Sequence, residues 1–139
     1  MTVGEIARDR VVTASPDTPI KSIVESMAEH DVGCIIIEQH DEPIGLITDR
    51  KIALQLKDTP APSSHAVKEY MTTGLVTVHE EEGVKEASDT LSDAGVRRVP
   101  VVDDSGELVG VLSIDDLAVL FADEMEDIAA VAAKQSPRF

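Results

Sequence analysis

Residues 95–116 read G-V-R-R-V-P-V-V-D-D-S-G-E-L-V-G-V-L-S-I-D-D, and this stretch decides the fold. An apolar, β-branched run at Val99–Val102 is followed by a turn signal at Asp103–Gly106 and a second apolar run at Leu108–Leu112. Apolar residues at helical spacing come next. The pattern predicts a hairpin whose second strand delivers a hydroxyl, Ser113, and a carboxylate, Asp116, to the first turn of a helix.

The same pattern occurs earlier in the chain, where residues 32–51 read V-G-C-I-I-I-E-Q-H-D-E-P-I-G-L-I-T-D-R-K. Val32 matches Val96, 64 positions later, and Gly45 matches Gly110, 65 positions later, so the second turn holds one extra residue. The offset of 64 also holds upstream towards the N-terminus. The chain is therefore predicted to contain two copies of one β-α-β-β-α unit.

The predicted fold is α/β, with two pseudo-symmetric β-α-β-β-α units packed through their sheets. Each copy alone is marginal for an independent core, which is why the two should pack on each other. We expect the first unit at residues 1–57, a Pro- and Ser-rich linker at 58–65 and the second unit at 66–139. The patterns predict first strands at 11–13 and 75–78 and first helices at 20–30 and 84–94.

The last helix of the second unit is predicted to be longer than its counterpart in the first unit. An apolar stripe continues from Phe121 to about Ala133 and has no equivalent in the first copy. We expect this stripe either to cover the core of the two units or to contact a second chain.

The chain is strongly acidic, with a formal net charge of −15 on 139 residues and only 2% aromatic residues. Such a surface repels nucleic acid and anionic membranes, and few side chains could stack on bases. The acids are spread over both copies. This favours a solubilising coat, as in halophilic proteins from a salt-rich cytoplasm, over a face for a basic partner.

The single cysteine, Cys34, excludes an intrachain disulfide and fits a reducing compartment. Cys34 begins an apolar run, which predicts a small core residue. The sequence shows no signal peptide and no run of 18 apolar residues. We therefore expect a cytoplasmic protein.

Neither a metal site nor a catalytic residue is predicted. Acids follow His79, but acids at a helix N-terminus are ordinary, and the other histidines lie at no ligand spacing from it. The sequence holds no Ser/His/Asp, Cys/His or H-E-x-x-H pattern. We therefore expect that this chain is not an enzyme.

Ser113 and Asp116 allow two interpretations from their spacing. A helix N-terminus with a neighbouring hydroxyl suits a phosphate, and an ionised aspartate can accept hydrogen bonds from both hydroxyls of a ribose. Ser-x-x-Asp is also a capping box, which needs no ligand. Spacing alone favours the cap.

The chain resembles a tandem pair of CBS domains, often called a Bateman module. The resemblance rests on G-L-I-T-D-R-K at 45–51, G-V-L-S-I-D-D at 110–116 and R-R-V-P-V-V-D at 97–103, and it covers about residues 3–121. It implies a regulatory, homodimeric module that senses AMP, ADP, ATP or S-adenosylmethionine. With no effector domain in the sequence, we expect it to act in trans on an unknown protein.

The resemblance also implies which residues contact the nucleotide. The resemblance implies that Ser113 and one of the two adjacent arginines, preferably Arg98, contact the phosphate. Only one arginine is expected to do so, because neighbouring strand residues face opposite ways. Asp116 is implied to bind the ribose hydroxyls. The full set of implied nucleotide-binding residues is Ser113, Asp116, Arg98, Arg97, Val76, Thr77, Val78 and Pro100 from the second copy, and Thr48, Val12 and Thr13 from the first.

The first copy departs from the pattern because Lys51 stands where the ribose acceptor belongs. The two clefts between the units are therefore predicted to be unequal. A lysine at a helix N-terminus faces the positive end of the helix dipole and is expected to extend into solvent or to have an acid nearby. The alternative function is a ligand-free scaffold for oligomerisation or partner docking. Lys51 and the apolar last helix favour it, whereas intact Ser113, Asp116 and Arg98 argue against it.

Overall fold

A computed structural model describes residues 1–135, so the last four residues of the expected second unit lie outside the described part. The first half contains α1 (Val3–Ile6), β1 (Thr13–Ala14), α2 (Ile20–His30), β2 (Cys34–Gln39), β3 (Glu42–Thr48) and α3 (Asp49–Gln55). Two 3₁₀ turns follow, at Pro62–Ser64 and Val67–Glu69. The second half contains β4 (Val78–His79), α4 (Val84–Ala94), β5 (Arg98–Val102), β6 (Leu108–Ser113) and α5 (Ile114–Gln135).

The two halves build the same three-stranded sheet, in the orders β1-β2-β3 and β4-β5-β6. In each sheet the first strand is parallel to the central strand and the last strand is antiparallel to it. The ladder shifts register at matching places, between Ile37 and Glu38 and between Val101 and Val102. The predicted α/β fold of two pseudo-symmetric units is confirmed.

The first strands are shorter than predicted and begin at different places in the two units. In the first unit the N–H of Ile36 donates to the carbonyl of Val12 at 3.2 Å, just before β1 begins. The matching central-strand residue in the second unit is Pro100, which has no N–H to donate. The carbonyl of Val76 therefore lacks the equivalent bond, and β4 begins one position later relative to the repeat, at Val78.

Each central strand is buried on both faces. Ile35 and Ile37 belong to one hydrophobic core, and Val99 and Val101 belong to the other. The residues between them, Ile36 and Pro100, are buried as well but face away from the helices because side chains alternate along a strand. The two sheets thus pack against each other through these faces.

The lead-in segments, residues 3–8 and 67–72 at the starts of the two copies, are exchanged between the units. Val3, at the start of the first copy, is fully buried in the core that contains Val78 and Leu112 of the second copy. Val67, at the start of the second copy, is fully buried in the core of the first, with Ile23 and others. Each lead-in therefore completes the core of the opposite unit.

Backbone pairing fixes the exchanged lead-ins in place. Arg8 and Val111 exchange two hydrogen bonds of 3.0 Å, and Leu46 and Thr72 exchange two of 3.1 and 2.8 Å. These bridges join each lead-in to the last strand of the unit whose core it completes.

Helix α5 leaves the body of the protein after its first turns. Leu117 is buried, whereas every residue from Phe121 to Gln135 is exposed. Of the two roles expected for the apolar stripe, covering the core of the units is therefore wrong for the described residues. No helix within residues 1–135 is long and apolar enough to cross a membrane.

Candidate functional site

A cavity of about 260 Å³ lies between the two units. Both units contribute to its walls. The lining residues are Arg8, Arg10, Val11, Val12, Asp31, Val32, Gly33, Cys34 and Ile36 from the first half, and Arg98, Val111, Ser113, Asp115 and Asp116 from the second.

Ser113 and Asp116 form a capping box at the start of α5. Asp116 Oδ2 accepts hydrogen bonds from the Ser113 backbone N–H at 3.1 Å and from Ser113 Oγ at 2.7 Å. Ser113 Oγ in turn accepts from the Asp116 backbone N–H at 3.2 Å. The capping box predicted from the spacing is therefore formed in the structure. The same two residues also line the cavity, where a ligand would contact them.

Asp116 also holds an ion pair with the first half of the chain. Arg8 Nε donates to Asp116 Oδ1 at 2.9 Å, across 108 positions of sequence. The Asp116 side chain is 12% exposed and that of Arg8 is 73% exposed. Both carboxylate oxygens of Asp116 thus accept hydrogen bonds, one set from its own helix and one from the lead-in.

These contacts keep Asp116 ionised. Desolvation by burial raises the pKa of Asp116, but the hydrogen bonds from Ser113 and the guanidinium of Arg8 together outweigh it. The pKa of Asp116 is therefore held below its ordinary value. An ionised carboxylate in a half-buried cavity is a strong hydrogen-bond acceptor.

The two adjacent arginines face opposite ways, as the strand period predicts. Arg98 lines the cavity, whereas Arg97 extends into solvent and lies 3.4 Å from Asp115 through Nη2. Arg98 also approaches Cys34 of the opposite unit. Burial raises the pKa of the Cys34 thiol, and a hydrogen bond with Arg98 partly offsets this. The prediction that Cys34 is a core residue is therefore wrong. Cys34 is a half-buried residue of the cavity wall.

The CBS domain family matches residues 3–58 and 67–123 of this chain. The chain belongs to the CBS domain family. Both of its units are CBS domains, and the cavity lies between the two members of the pair.

Two relatives show how far this similarity extends. An uncharacterised protein of Methanopyrus kandleri is 36% identical over 119 residues, covering 84% of this chain and 61% of that protein. The CBS domain-containing protein YhcV of Bacillus subtilis is 32% identical over 117 residues, covering 84% of this chain and 83% of YhcV. The chain thus spans less than two thirds of the first relative and most of the second.

A solved structure shares the same arrangement of two units. The CBS domain pair of protein MJ0100, in complex with 5′-methylthioadenosine and S-adenosyl-L-methionine, is 28% identical to this chain with a TM-score of 0.77. The similarity covers 89% of this chain and 98% of that one.

The structure brings four of the implied nucleotide-binding residues of the CBS pair together in the cavity: Ser113, Asp116, Arg98 and, from the first unit, Val12. The other seven lie outside its lining. Val78 and Pro100 are buried, Val76 and Thr77 are exposed, Thr13 begins β1, Thr48 caps α3 and Arg97 is in solvent. Their contacts with a nucleotide stay predictions.

The first CBS unit differs at the start of its helix, as the sequence indicates. Thr48 Oγ1 accepts from the backbone N–H of Lys51 at 3.1 Å and caps α3. The Lys51 side chain is exposed and forms no ion pair within residues 1–135. This unit thus has a cap but no carboxylate at the position of Asp116.

Several cavity residues of the CBS pair were not predicted from the sequence, above all Arg8 and Arg10. One signal was present for Arg8. The repeat offset matches Arg8 with Thr72 and Asp116 with Lys51. The oppositely charged pair Arg8 and Asp116 therefore corresponds to an uncharged threonine and a lysine at the matching place. The two changes occur together.

The acid-rich segment after His79 forms ordinary local contacts. His79 Nε2 lies 2.7 Å from Asp104 Oδ1, and the Glu81 backbone N–H donates to His79 Nδ1 at 3.1 Å. Across residues 1–135, no three His, Cys, Asp or Glu side chains form a group that could hold a metal ion.

Proposed function

We propose that this CBS pair is a regulatory module that binds an adenosine-containing ligand in the cavity between its units. The observation that carries the proposal is the convergence of a hydroxyl, a carboxylate and a guanidinium, those of Ser113, Asp116 and Arg98, on one cavity. The related pair of MJ0100, which holds 5′-methylthioadenosine and S-adenosyl-L-methionine, supports it. The candidate ligands are AMP, ADP, ATP and S-adenosylmethionine.

Each group has a chemical role in this proposal. Ser113 and the N-terminus of the 22-residue helix α5 supply donors and a positive dipole end for a phosphate, and Arg98 adds charge. Asp116 accepts hydrogen bonds from ribose hydroxyls. Adenine lies against aliphatic side chains of the cavity wall, among them Val11, Val12 and Val111.

The ligand is sensed and not chemically transformed. A molecule held by both units binds best to one relative arrangement of them, and so it shifts the population towards that arrangement. We propose that the change is transmitted to another protein in trans, and that α5 joins two copies of the chain in a homodimer.

A ligand-free docking scaffold is the second candidate. The observation in its favour is that Asp116 already accepts hydrogen bonds at both oxygens, from Ser113 and Arg8, and thus has a structural role without any ligand. In this case the exposed apolar stripe of α5 is the functional surface.

Thermal shift and calorimetry with AMP, ADP, ATP and S-adenosylmethionine separate the two candidates. A ligand that binds only the folded chain raises the melting temperature by mass action. Asp116→Asn should weaken the affinity about ten- to a hundredfold, because a hydrogen bond to a charged acceptor is lost, while Ser113 still caps α5 and the amide oxygen of the asparagine replaces the acceptor for the Ser113 backbone N–H. Asp123→Asn, on the exposed part of the same helix, is the matched control. If no ligand raises the melting temperature at millimolar concentration, the scaffold replaces the sensor.

A further inference from the structure

The ion pair between Arg8 and Asp116 exists at only one of the two pseudo-symmetric clefts. Arg8 is bridged to Val111 as Thr72 is bridged to Leu46, so Arg8 and Thr72 occupy matching places. At the other cleft Thr72 has no charge, and Lys51 stands at the place of Asp116. The guanidinium beside the ribose acceptor is therefore a specific feature of one cleft and not a property of the repeat.

Arg8 is one of three arginines that line the cavity, together with Arg10 and Arg98. The chain has six arginines and a net charge of −15, so half of its arginines lie around one cavity. Among residues 1–135, Arg10 and Arg98 form no salt bridge within 4 Å.

The cavity also contains three acids, which decide how much positive charge a ligand meets. Asp116 is paired with Arg8, and Asp115 is paired with Arg97 outside the cavity. Asp31 is the third. The guanidiniums of Arg10 and Arg98 therefore face one unpaired acid, and the balance favours an anionic ligand group.

We propose that Arg8 is a specificity-determining residue that selects a phosphorylated adenosine over uncharged adenosine. This inference rests on the proposed function and names the ligand class of the same cavity. A ribose hydroxyl that donates to Asp116 competes with Arg8 for Oδ1, where Arg8 Nε already donates at 2.9 Å. Binding of ribose therefore carries the cost of weakening this ion pair.

A phosphate compensates Arg8 for that loss. The planar guanidinium matches phosphate oxygens through paired hydrogen bonds, and the side chain is 73% exposed, so it has room to turn from Asp116 to a phosphate. Uncharged adenosine offers no new anionic partner to Arg8.

The test compares AMP, adenosine and S-adenosylmethionine by calorimetry on the wild type, Arg8→Gln and a control. Lys85→Gln is the control, since it removes the same charge and breaks an exposed ion pair, with Asp89, remote from the cavity. Wild type and Lys85→Gln should bind AMP about ten- to a hundredfold more tightly than adenosine. Arg8→Gln should reduce the ratio of AMP to adenosine affinity at least about tenfold, with adenosine bound as well as before or better.

The outcomes separate this inference from the proposed function. If the three compounds bind but Arg8→Gln leaves the ratio of AMP to adenosine affinity unchanged, the role of Arg8 is refuted and the adenosine site stands. A wild type that prefers adenosine to AMP also refutes it. If none of the three compounds binds the wild type, the proposed function fails and the inference fails with it.

Discussion

Gly110 lies so close beneath the backbone of Arg8 that a Cβ atom on Gly110 would stand 2.9 Å from the Arg8 carbonyl oxygen. The same Cβ would lie 3.3 Å from the Cβ of Ala7. The first strand-to-helix motif repeats the relationship, since a Cβ on Gly45 would stand 3.0 Å from the carbonyl oxygen of Thr72. The glycine of each motif therefore makes room for the exchanged lead-in, whatever its part in ligand binding.

Gly110→Ala should destabilise the fold by about 1–3 kcal/mol, because the methyl group meets backbone that is itself held by two hydrogen bonds to Val111. Chemical denaturation measures the change in the free energy of unfolding. Val109→Ala, a change at an exposed position of the same strand, is the control and should cost well under that amount. Equal stability of wild type and Gly110→Ala would contradict the close approach.

The contribution of Asp116 to stability should depend on pH with a definite sign. Its pKa in the folded chain lies below the ordinary value of 3.8, so its hydrogen bonds stabilise the fold fully above that pH and are lost as the pH falls through the folded pKa. The free energy of unfolding of wild type should exceed that of Asp116→Asn by about 1 kcal/mol at neutral pH. The difference should shrink below about pH 4. A difference that grows on acidification would show that the sign is wrong.

Lys51→Asp should create or strengthen a nucleotide site at the first cleft if the proposed function holds. The substitution supplies the missing acceptor, which contributes about 1.5–3 kcal/mol, or ten- to a hundredfold in affinity. Calorimetry should show the number of nucleotides bound per chain rise from one towards two. Lys57→Asp makes the same charge change after the end of α3 and serves as the control. Unchanged stoichiometry in Lys51→Asp would refute the idea that this position limits the first cleft.

The chain should form a homodimer through α5. Phe121, Met125 and Ile128 are 50%, 62% and 61% exposed and follow one another at intervals of four and three residues, which is the spacing of a helix–helix seam. Light scattering should give twice the chain mass of 14.9 kDa. Met125→Asp should yield the monomer mass, whereas Ala130→Asp, off the stripe, should leave the dimer intact. A monomeric wild type across the micromolar range would rule this out.

Thermal stability should increase with salt. A net charge of −15 on 139 residues produces self-repulsion that counterions screen. The melting temperature should therefore rise as monovalent salt increases from about 0.01 M, where the Debye length is about 30 Å, to about 1 M, where it is about 3 Å. A flat response would mark an acidic protein that has no need of salt.

The sequence predicts the helices better than the first strands. Helices α2 and α4 begin and end at the predicted residues because their apolar faces repeat over eleven positions each. Strands β1 and β4 have only two residues, and their starting points depend on a hydrogen bond that Ile36 can make and Pro100 cannot. Such a detail depends on pairing partners far away in sequence.

The residues of the candidate site also differ in how well local sequence patterns predict them. Ser113 and Asp116 are three positions apart and are recognisable as one motif, and the strand period predicts that only one of Arg97 and Arg98 faces the cavity. Arg8 reaches Asp116 across 108 positions and only because the lead-ins are exchanged, so local pattern does not predict it. Cys34 was expected in a core for the same reason, since its partner Arg98 belongs to the other unit.

The exchange of Val3 and Val67 between the two cores bears on how such a chain could arise. A single repeat on its own carries a segment that fits another copy and a core that its own segment does not fill. A one-repeat ancestor would therefore have a filled core only as a segment-swapped dimer, in which the first residues of each copy pack into the core of the other. Gene duplication and fusion would then convert an exchange of lead-in segments between two molecules into an exchange within one chain. Cutting the present chain at its linker should recreate the ancestral situation, with two fragments that each require the other in order to fold.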